Sequence, residues 1–353
     1  MDRRNLLCFL LMLANARPGR AAPASTYAFV TPEQADGLAQ RERDAPAAAM
    51  LRAAARVFDR APHALPLVHV EGTLPGHGIY DSSREALRDL PAARDLAIAG
   101  RLTGDLQCSG AAARFVSAWA TTYTPSLNPI DETGFDALFM AWDLLPDTIR
   151  EPLQPAMEKF LRAFALGYLQ HPPKGSTAVN NWNSHRVKLA TMAAFAGGDE
   201  RLVAHAHDRY REQLQANIDS NGLTFDFSQR DALHYVVYSL EPLLMAALAA
   251  RQHGQDWWPD EGQRLSLALD WLLPYATGKK THIEFANTTV QFDRVRRDAG
   301  LQGFDGMFDP KVARLAYALA ARLDMRYAEL AQSLKDAPWQ DAWLELVVPL
   351  ARR

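Results

Sequence analysis

The chain has 353 residues, 48% of them hydrophobic, and a formal net charge of -3. That is ample apolar material for one large domain or two ordinary ones. The charge balance offers no concentrated basic face for a phosphate backbone, so nucleic acid is excluded as the expected partner and any anionic ligand must be met by a local basic site.

Arg3 and Arg4 precede the apolar run LLCFLLML, and small residues follow at Ala14-Asn15-Ala16 and Ala21-Ala22-Pro23-Ala24. This is the pattern of a cleaved secretory peptide. Residues 1–24 are therefore read as a signal peptide and residues 25–353 as one domain, periplasmic or secreted. The apolar run is too short to span a bilayer, and no later stretch is expected to span one. Cys8 would leave with the peptide, and Cys108 alone cannot form an intrachain disulfide.

Helical periodicity dominates the remainder. Glu33 to Asp59 fits a helix broken by Pro46. From Ala61 to Ser83 runs a Pro- and Gly-rich loop that carries His63, His69, Glu71, His77 and Tyr80. Loops this long are usually functional; the spacing of its histidines matches no compact zinc pattern, and neither metal nor cofactor is expected. Helices are predicted over Arg84–Ala97, Gly110–Tyr123, Gly134–Leu145, Ile149–Gln170, Trp182–Phe195, Glu200–Ser220, Arg230–His253, Gln263–Ala276 and Pro310–Leu323. Such a succession of amphipathic helices, without a short repeat, predicts an all-α fold of helical hairpins closing into an (α/α) toroid.

Two stretches concentrate chemistry. In DFSQRDALHYVVYSLEPLL, from Asp226, helical spacing aligns Arg230, His234 and Tyr238 on one face, with Tyr235 beside His234, and Pro242 is expected to stop or kink the helix. Taken singly, these residues read as satisfied core. Together, a guanidinium, an imidazole and two phenols can neutralise a carboxylate and move a proton. In VNNWNSHRVKL, from Val179, an asparagine can cap the following helix, yet Asn180 and Asn181 exceed what one cap needs. His185 falls one turn beyond Asn181, with Arg186 and Lys188 near it. Amides at a positive helix N-terminus are a natural seat for a carboxylate. Trp257 and Trp258 read as core, Lys279, Lys280 and His282 as a loop facing solvent or a polyanion, and Arg294, Arg296 and Arg297 as a solvated basic face.

The pair NNWNSHR and RDALHYVVYSLEPL resembles the two signature segments of the alginate lyase superfamily. Trp119–Leu145 is similar to the family's Asn-Pro-Ile segment, Val68–Ser83 to a loop of its glucuronan and alginate lyase branch, and Thr281–Gly300 more weakly to a later stretch. The likeness runs from about residue 65 to about residue 245. It implies a helical toroid that cleaves polyuronates by β-elimination. The family's tyrosine pair falls on Tyr235 and Tyr238, spacing included. Its histidine directly follows the asparagine in the best-known branch, whereas Trp182 follows Asn181 here and the imidazole comes at His185. Its arginine lies seven residues before the catalytic tyrosine, where this chain has Ser228, and Arg230 is the nearest substitute.

The residues and the resemblance imply one mechanism, acting on an anionic polysaccharide, alginate or glucuronan. Asn181, His185 and Arg230 hold the C6 carboxylate of a 1,4-linked uronate and Tyr235 serves as base and acid. Asn180, Trp182, Arg186, His234, Tyr238, His69, His77 and Tyr80 contact the polymer. In mannuronate or glucuronate the C5 hydrogen and O4 lie on the same side, so one tyrosine can do both transfers; guluronate would need a separate base such as His185. A phenol with a pKa near 10 must be activated by positive charge, for which Arg230 and His234 are the near candidates. Two other readings remain open. A toroid glycoside hydrolase would need two carboxylic side chains, available among Asp131, Glu132, Asp136, Glu241 and Glu284. A non-catalytic binding protein would stack sugars on Trp119, Trp182 and the tyrosines.

Overall fold

A computed structural model describes residues 26–337 and 339–350; the expected signal peptide lies outside them. Among the described residues there is no strand, only isolated bridges at Ile218–Thr224 and Ile283–Met307.

The helices pair in succession as hairpins, an (α/α) toroid. Asp89–Thr103 turns through Gly104, at φ 72°, and the cap residue Asp105 into Leu106–Thr122, and the two helices pack along each other. They approach so closely at Gly100 that an added Cβ would lie 3.0 Å from the Ser109 backbone nitrogen and would force the Ser109 hydroxyl aside, a tight contact that glycine avoids. Asn181–Gly197 occupies the centre of the next hairpins, packing on Gln154–Gln170, Glu200–Asn217 and Leu233–Gln252. Thirteen of its residues are buried, which explains its lack of an exposed polar face. One continuous apolar core extends from Ala28 to Val348.

Each predicted helix meets helical structure, but Arg84–Ala97 divides between Tyr80–Ala86 and Asp89–Thr103, and Arg230 belongs to a helix separate from Leu233–Gln252. Pro46 begins a helix rather than interrupting one: Asp44 caps Ala45–Val57, and Pro46 occupies its first turn, where no N–H is needed. Pro242 neither stops nor kinks the chain out of helix, since Leu233–Gln252 runs on through it for ten more residues. That helix is long and apolar enough to cross a membrane by composition, contrary to the sequence expectation, and 83% of the stretch in question is buried inside the protein. Its apolarity serves the core. Gln291–Asp298 and the shorter helices Pro129–Glu132, Ala328–Ser333 and Ala342–Val347 were not predicted.

Candidate active site

The decisive local event is a break between Arg230 and Leu233. Phe225–Arg230 ends because Asp231 adopts the left-handed conformation, φ 49°, and returns its N–H to Phe227 O at 2.8 Å. Asp231 also receives the N–H and Nδ2 of Asn287, both at 2.8 Å, on Oδ2, which holds this costly backbone in place. Leu233–Gln252 then starts afresh with Ala232 at a cap position that has no side-chain acceptor. The missing cap is supplied from afar: the Glu284 carboxylate accepts from Leu233 N–H at 2.7 Å and His234 N–H at 3.0 Å. Arg230 is therefore not on the helix face of His234 and Tyr238, as the spacing predicted.

Arg230 reaches the same place by another route. Its guanidinium lies 4.0 Å from the Tyr235 ring centroid and forms an ion pair with the buried Asp293. Asp293 also accepts from Thr288 Oγ1 at 2.9 Å and lies 3.8 Å from Arg296 Nη1. Arg296 in turn donates to Tyr235 Oη at 3.3 Å, with its guanidinium between the rings of Phe292 and Phe304, at 4.4 and 5.1 Å. The Arg296 side chain is only 16% exposed. The solvated basic face expected over residues 294–297 holds for the exposed Arg294 and Arg297 and fails for Arg296, which the Phe292 and Phe304 rings pack inward onto the tyrosine; Arg294 bonds Thr288 O at 2.8 Å.

Tyr235 is 8% exposed and meets Tyr238 edge-on, with ring centroids 6.1 Å apart. Burial raises its pKa; Arg230 and Arg296 oppose that rise, while Asp293 and Asp226 add to it. The phenol is accordingly protonated at rest, and the two guanidiniums are what bring the phenolate within reach. Burial, then Tyr235 and Glu241, also raise Tyr238. His234 stacks on Tyr235 at 4.5 Å, and burial together with Arg230 and Arg296 lowers its pKa to about 4. His234 is therefore neutral near pH 7 and cannot be a source of activating positive charge; Arg296 fills the role expected of His234.

His185 packs against Tyr238 with ring centroids 4.3 Å apart and is 3% exposed. Its Nδ1 lies 2.7 Å from Thr133 Oγ1, and its buried Nε2 has no hydrogen-bond partner among the described residues. Burial and the Lys188 charge hold its pKa well below the ordinary histidine value; the Tyr238 backbone works against them, without a bond of normal geometry to Nε2.

The asparagines behave differently. Asn180 caps Asn181–Gly197 through a bond from Trp182 N–H at 3.0 Å, and its carbonyl accepts from Gln213 Nε2 at 3.1 Å. Asn181 gives both its backbone N–H, at 3.1 Å, and its Nδ2, at 2.6 Å, to the fully buried Asp226. Asn217 donates to the other Asp226 oxygen at 2.8 Å, and Ser239 donates to Asn217 Oδ1 at 3.0 Å. Arg186 bonds the carbonyls of His171, at 3.0 Å, and Leu127, at 3.4 Å, which ties two loops together. Trp182 is half-buried at the helix start.

From the other side comes the loop predicted to be functional. Asp131 accepts from Val70 N–H and Glu71 N–H, both at 2.7 Å, and its other oxygen lies 2.9 Å from His69 Nδ1, whose side chain is 49% exposed. Glu71 has its pKa raised by burial and Asp131, against the pull of Arg296 and His69. His77 is exposed and Tyr80 half-buried, joined by the backbone bond from Tyr80 N–H to His77 O at 3.1 Å. The tyrosine pair, His185 and the two arginines thus share one neighbourhood with Asp131 and Glu71, Asp131 acting on Tyr238 and Arg296 on Glu71, while no contact among the described residues brings His77 or Tyr80 to it. A cavity of about 370 Å³ lined by Ala276, Asp309 and Leu334 holds none of these residues.

Four of the five carboxylates available to a hydrolase are otherwise engaged; the fifth, Glu241, has its pKa raised by burial to about 7. Glu132 accepts from Tyr123 Oη at 2.7 Å and from Tyr168 Oη and Ser126; Asp136 meets Lys188 Nζ at 2.6 Å; Glu284 caps a helix and Asp131 holds a loop. Arg296, Asp293 and Asp226 are site residues the sequence reading missed. The Phe292–Arg296 spacing of four on one helix was the available signal for Arg296.

Comparison with known proteins fits this picture. The chain is 31% identical over 194 residues to a polysaccharide lyase of Stenotrophomonas maltophilia (strain K279a), a match covering 51% of this chain and 56% of that relative, so the chain spans little more than half the relative's length. An alginate lyase from Bacteroides ovatus superposes with a TM-score of 0.69 at 18% identity, over 93% of this chain and all of that one. Alginate lyase A1-III from Sphingomonas species A1 does so with 0.53 at 17%, over 82% and 94%. A variant of A1-III complexed with a tetrasaccharide gives 0.56 at 17%, over 72% and 78%. At these identities the structures establish the shared fold. The alginate lyase family model matches residues 27–282, and the chain belongs to that family.

Proposed function

We propose that the protein is a polysaccharide lyase that cleaves a 1,4-linked polyuronate, polymannuronate or glucuronan, by β-elimination, after export through its signal peptide. The observation that carries this reading is Tyr235: a buried phenol with one guanidinium at its oxygen and another over its ring. As the phenolate, Tyr235 takes the C5 proton and becomes the phenol, C4=C5 forms as the C4–O4 bond breaks, and the phenol returns that proton to O4, which restores the phenolate. Charge grows on the C6 carboxylate as C5 loses its proton, so cationic and N–H groups beside it stabilise the transition state more than the bound substrate. Arg230, Arg296 and His185 are the groups around the tyrosine pair that suit this role. Asn181 is assigned to orienting the helix start, because its amide is held by Asp226.

The test is to follow absorbance of the conjugated double bond and reducing ends together on polymannuronate, polyguluronate, glucuronan and hyaluronan. Parallel growth of both on mannuronate or glucuronate polymers is expected. Reducing ends without the double bond would make the protein a hydrolase, and neither signal on any polymer would refute the lyase reading.

A further inference from the structure

Lys188 is a buried lysine whose ammonium hydrogens meet three acceptors: Asp136 Oδ2 at 2.6 Å, Thr133 O at 2.8 Å and Thr133 Oγ1 at 2.9 Å. An ammonium only donates, so Thr133 Oγ1 accepts there and its own proton must go elsewhere. Among its hydrogen-bond partners in the described residues, the one acceptor is His185 Nδ1, at 2.7 Å. The imidazole proton then resides on Nε2, the nitrogen that is buried against Tyr238 and has no partner. The charged and titratable groups around the ring are Lys188 on its own helix, Asp136 beside Thr133, and Tyr238 on Leu233–Gln252, with Glu241, Arg296 and Asp131 acting on Tyr238 in turn.

We propose that Lys188, acting through Thr133, is a positioning residue that fixes His185 as the neutral Nε2–H tautomer, leaving the ring able to donate a hydrogen bond and unable to accept a proton. The inference rests on the lyase reading for its consequence: with the Nδ1 lone pair occupied and Nε2 protonated, His185 cannot serve as the separate base that guluronate requires. The site is then restricted to polymers whose C5 hydrogen and O4 lie on one side, mannuronate or glucuronate. Burial and the Lys188 charge, which both disfavour the imidazolium, act in the same sense.

The experiment is ring-nitrogen NMR of ¹⁵N-histidine-labelled protein, with the His185 signals among the ten histidines identified from their loss in His185→Gln, for wild type, Lys188→Met, Lys188→Arg and Thr133→Val. In the wild type the Nε2–H tautomer is expected to persist from neutral pH to below the ordinary histidine range. Thr133→Val and Lys188→Met should release the tautomer, and Lys188→Met should also raise the His185 pKa. Turnover on the preferred polymer should fall at least ~10-fold in both with KM little changed, as a misplaced proton on a site histidine implies, and Lys188→Arg should recover most of it. If Lys188→Met fails to fold because Asp136 loses its partner, Thr133→Val decides alone. An Nδ1–H tautomer in the wild type, or a tautomer unmoved in Thr133→Val, overturns the proposal. Because the NMR needs no substrate, a tautomer that shifts as stated in a protein that cuts no polymer would sink the lyase reading and leave the positioning role intact.

Discussion

Two polar clusters face each other across the helices Asn181–Gly197 and Leu233–Gln252, and they differ in what their hydrogen bonds leave over. In the first, Asn181, Asn217, Ser239 and Asp226 bond to one another inside the protein, and both Asp226 oxygens are taken. In the second, Tyr235 and Tyr238 are packed by aromatic rings, Arg230 keeps a buried Nε without a partner, and so does His185 at Nε2. A closed network rigidifies the backbone around it, whereas an open one retains donors for a ligand. Asn181 and Ser239 of the first cluster and Arg230, Tyr235, Tyr238 and His185 of the second lie in the segments that resemble the family's signatures, so sequence likeness alone did not separate the clusters.

The comparison is sharpest at Tyr235. Tyr235→Phe removes one hydroxyl from the open cluster and is expected to lower turnover by ~100-fold or more, with the thermal midpoint essentially retained; steady-state rates and a melting curve check both halves. A Tyr235→Phe enzyme with normal turnover would move the proton transfers to Tyr238.

Arg296→Gln comes next. The substitution removes positive charge that now opposes the burial-driven rise of the Tyr235 pKa. A base must be deprotonated to act, so the alkaline rise of the pH–rate profile should move to higher pH, and turnover near neutrality should fall by ~10-fold or more. An unchanged profile would return Arg296 to a packing role.

Much of this was legible beforehand. The toroid followed from helices of ordinary length joined by capped turns, and Tyr235, Tyr238 and His185 stood out by type and spacing. The break at Asp231 was hidden because a non-glycine residue takes the left-handed conformation there, held by Asn287, 56 residues away. Arg296 was hidden for a related reason: three arginines in four residues read as a wet surface until Phe304 and Tyr235, the latter 61 residues earlier, are seen to enclose one of them. Proline 242 misled because the tendency of proline to end helices yields to a buried helix whose packing favours continuing.

On the closed side the expectation reverses. Asn181→Ala removes the Nδ2 donor and leaves the buried Asp226 carboxylate with only the Asn181 backbone N–H and Asn217 Nδ2, so the loss should appear chiefly as stability, ~1–3 kcal/mol in a urea titration. If Asn181→Ala instead kept full stability and lost turnover, the division between the two clusters would be wrong. The smallest effect is expected for Arg297→Ala. That side chain is 39% exposed and lies 3.6 Å from Asp298, so stability and turnover should both stay within error of wild type, which would separate it from Arg296 one position away.

The trans cap at Glu284 ties catalysis to chain order. The helix bearing both tyrosines borrows its first acceptors from a residue about fifty positions downstream, and Arg296 and Asp293 lie further on still. A ribosome-bound chain that has emerged only as far as the end of Leu233–Gln252 already owns every signature residue, but its tyrosine helix begins with unanswered N–H groups and its phenol has no cation at the oxygen. On the lyase reading proposed above, turnover therefore requires the closing segment to dock and does not follow from the tyrosines alone.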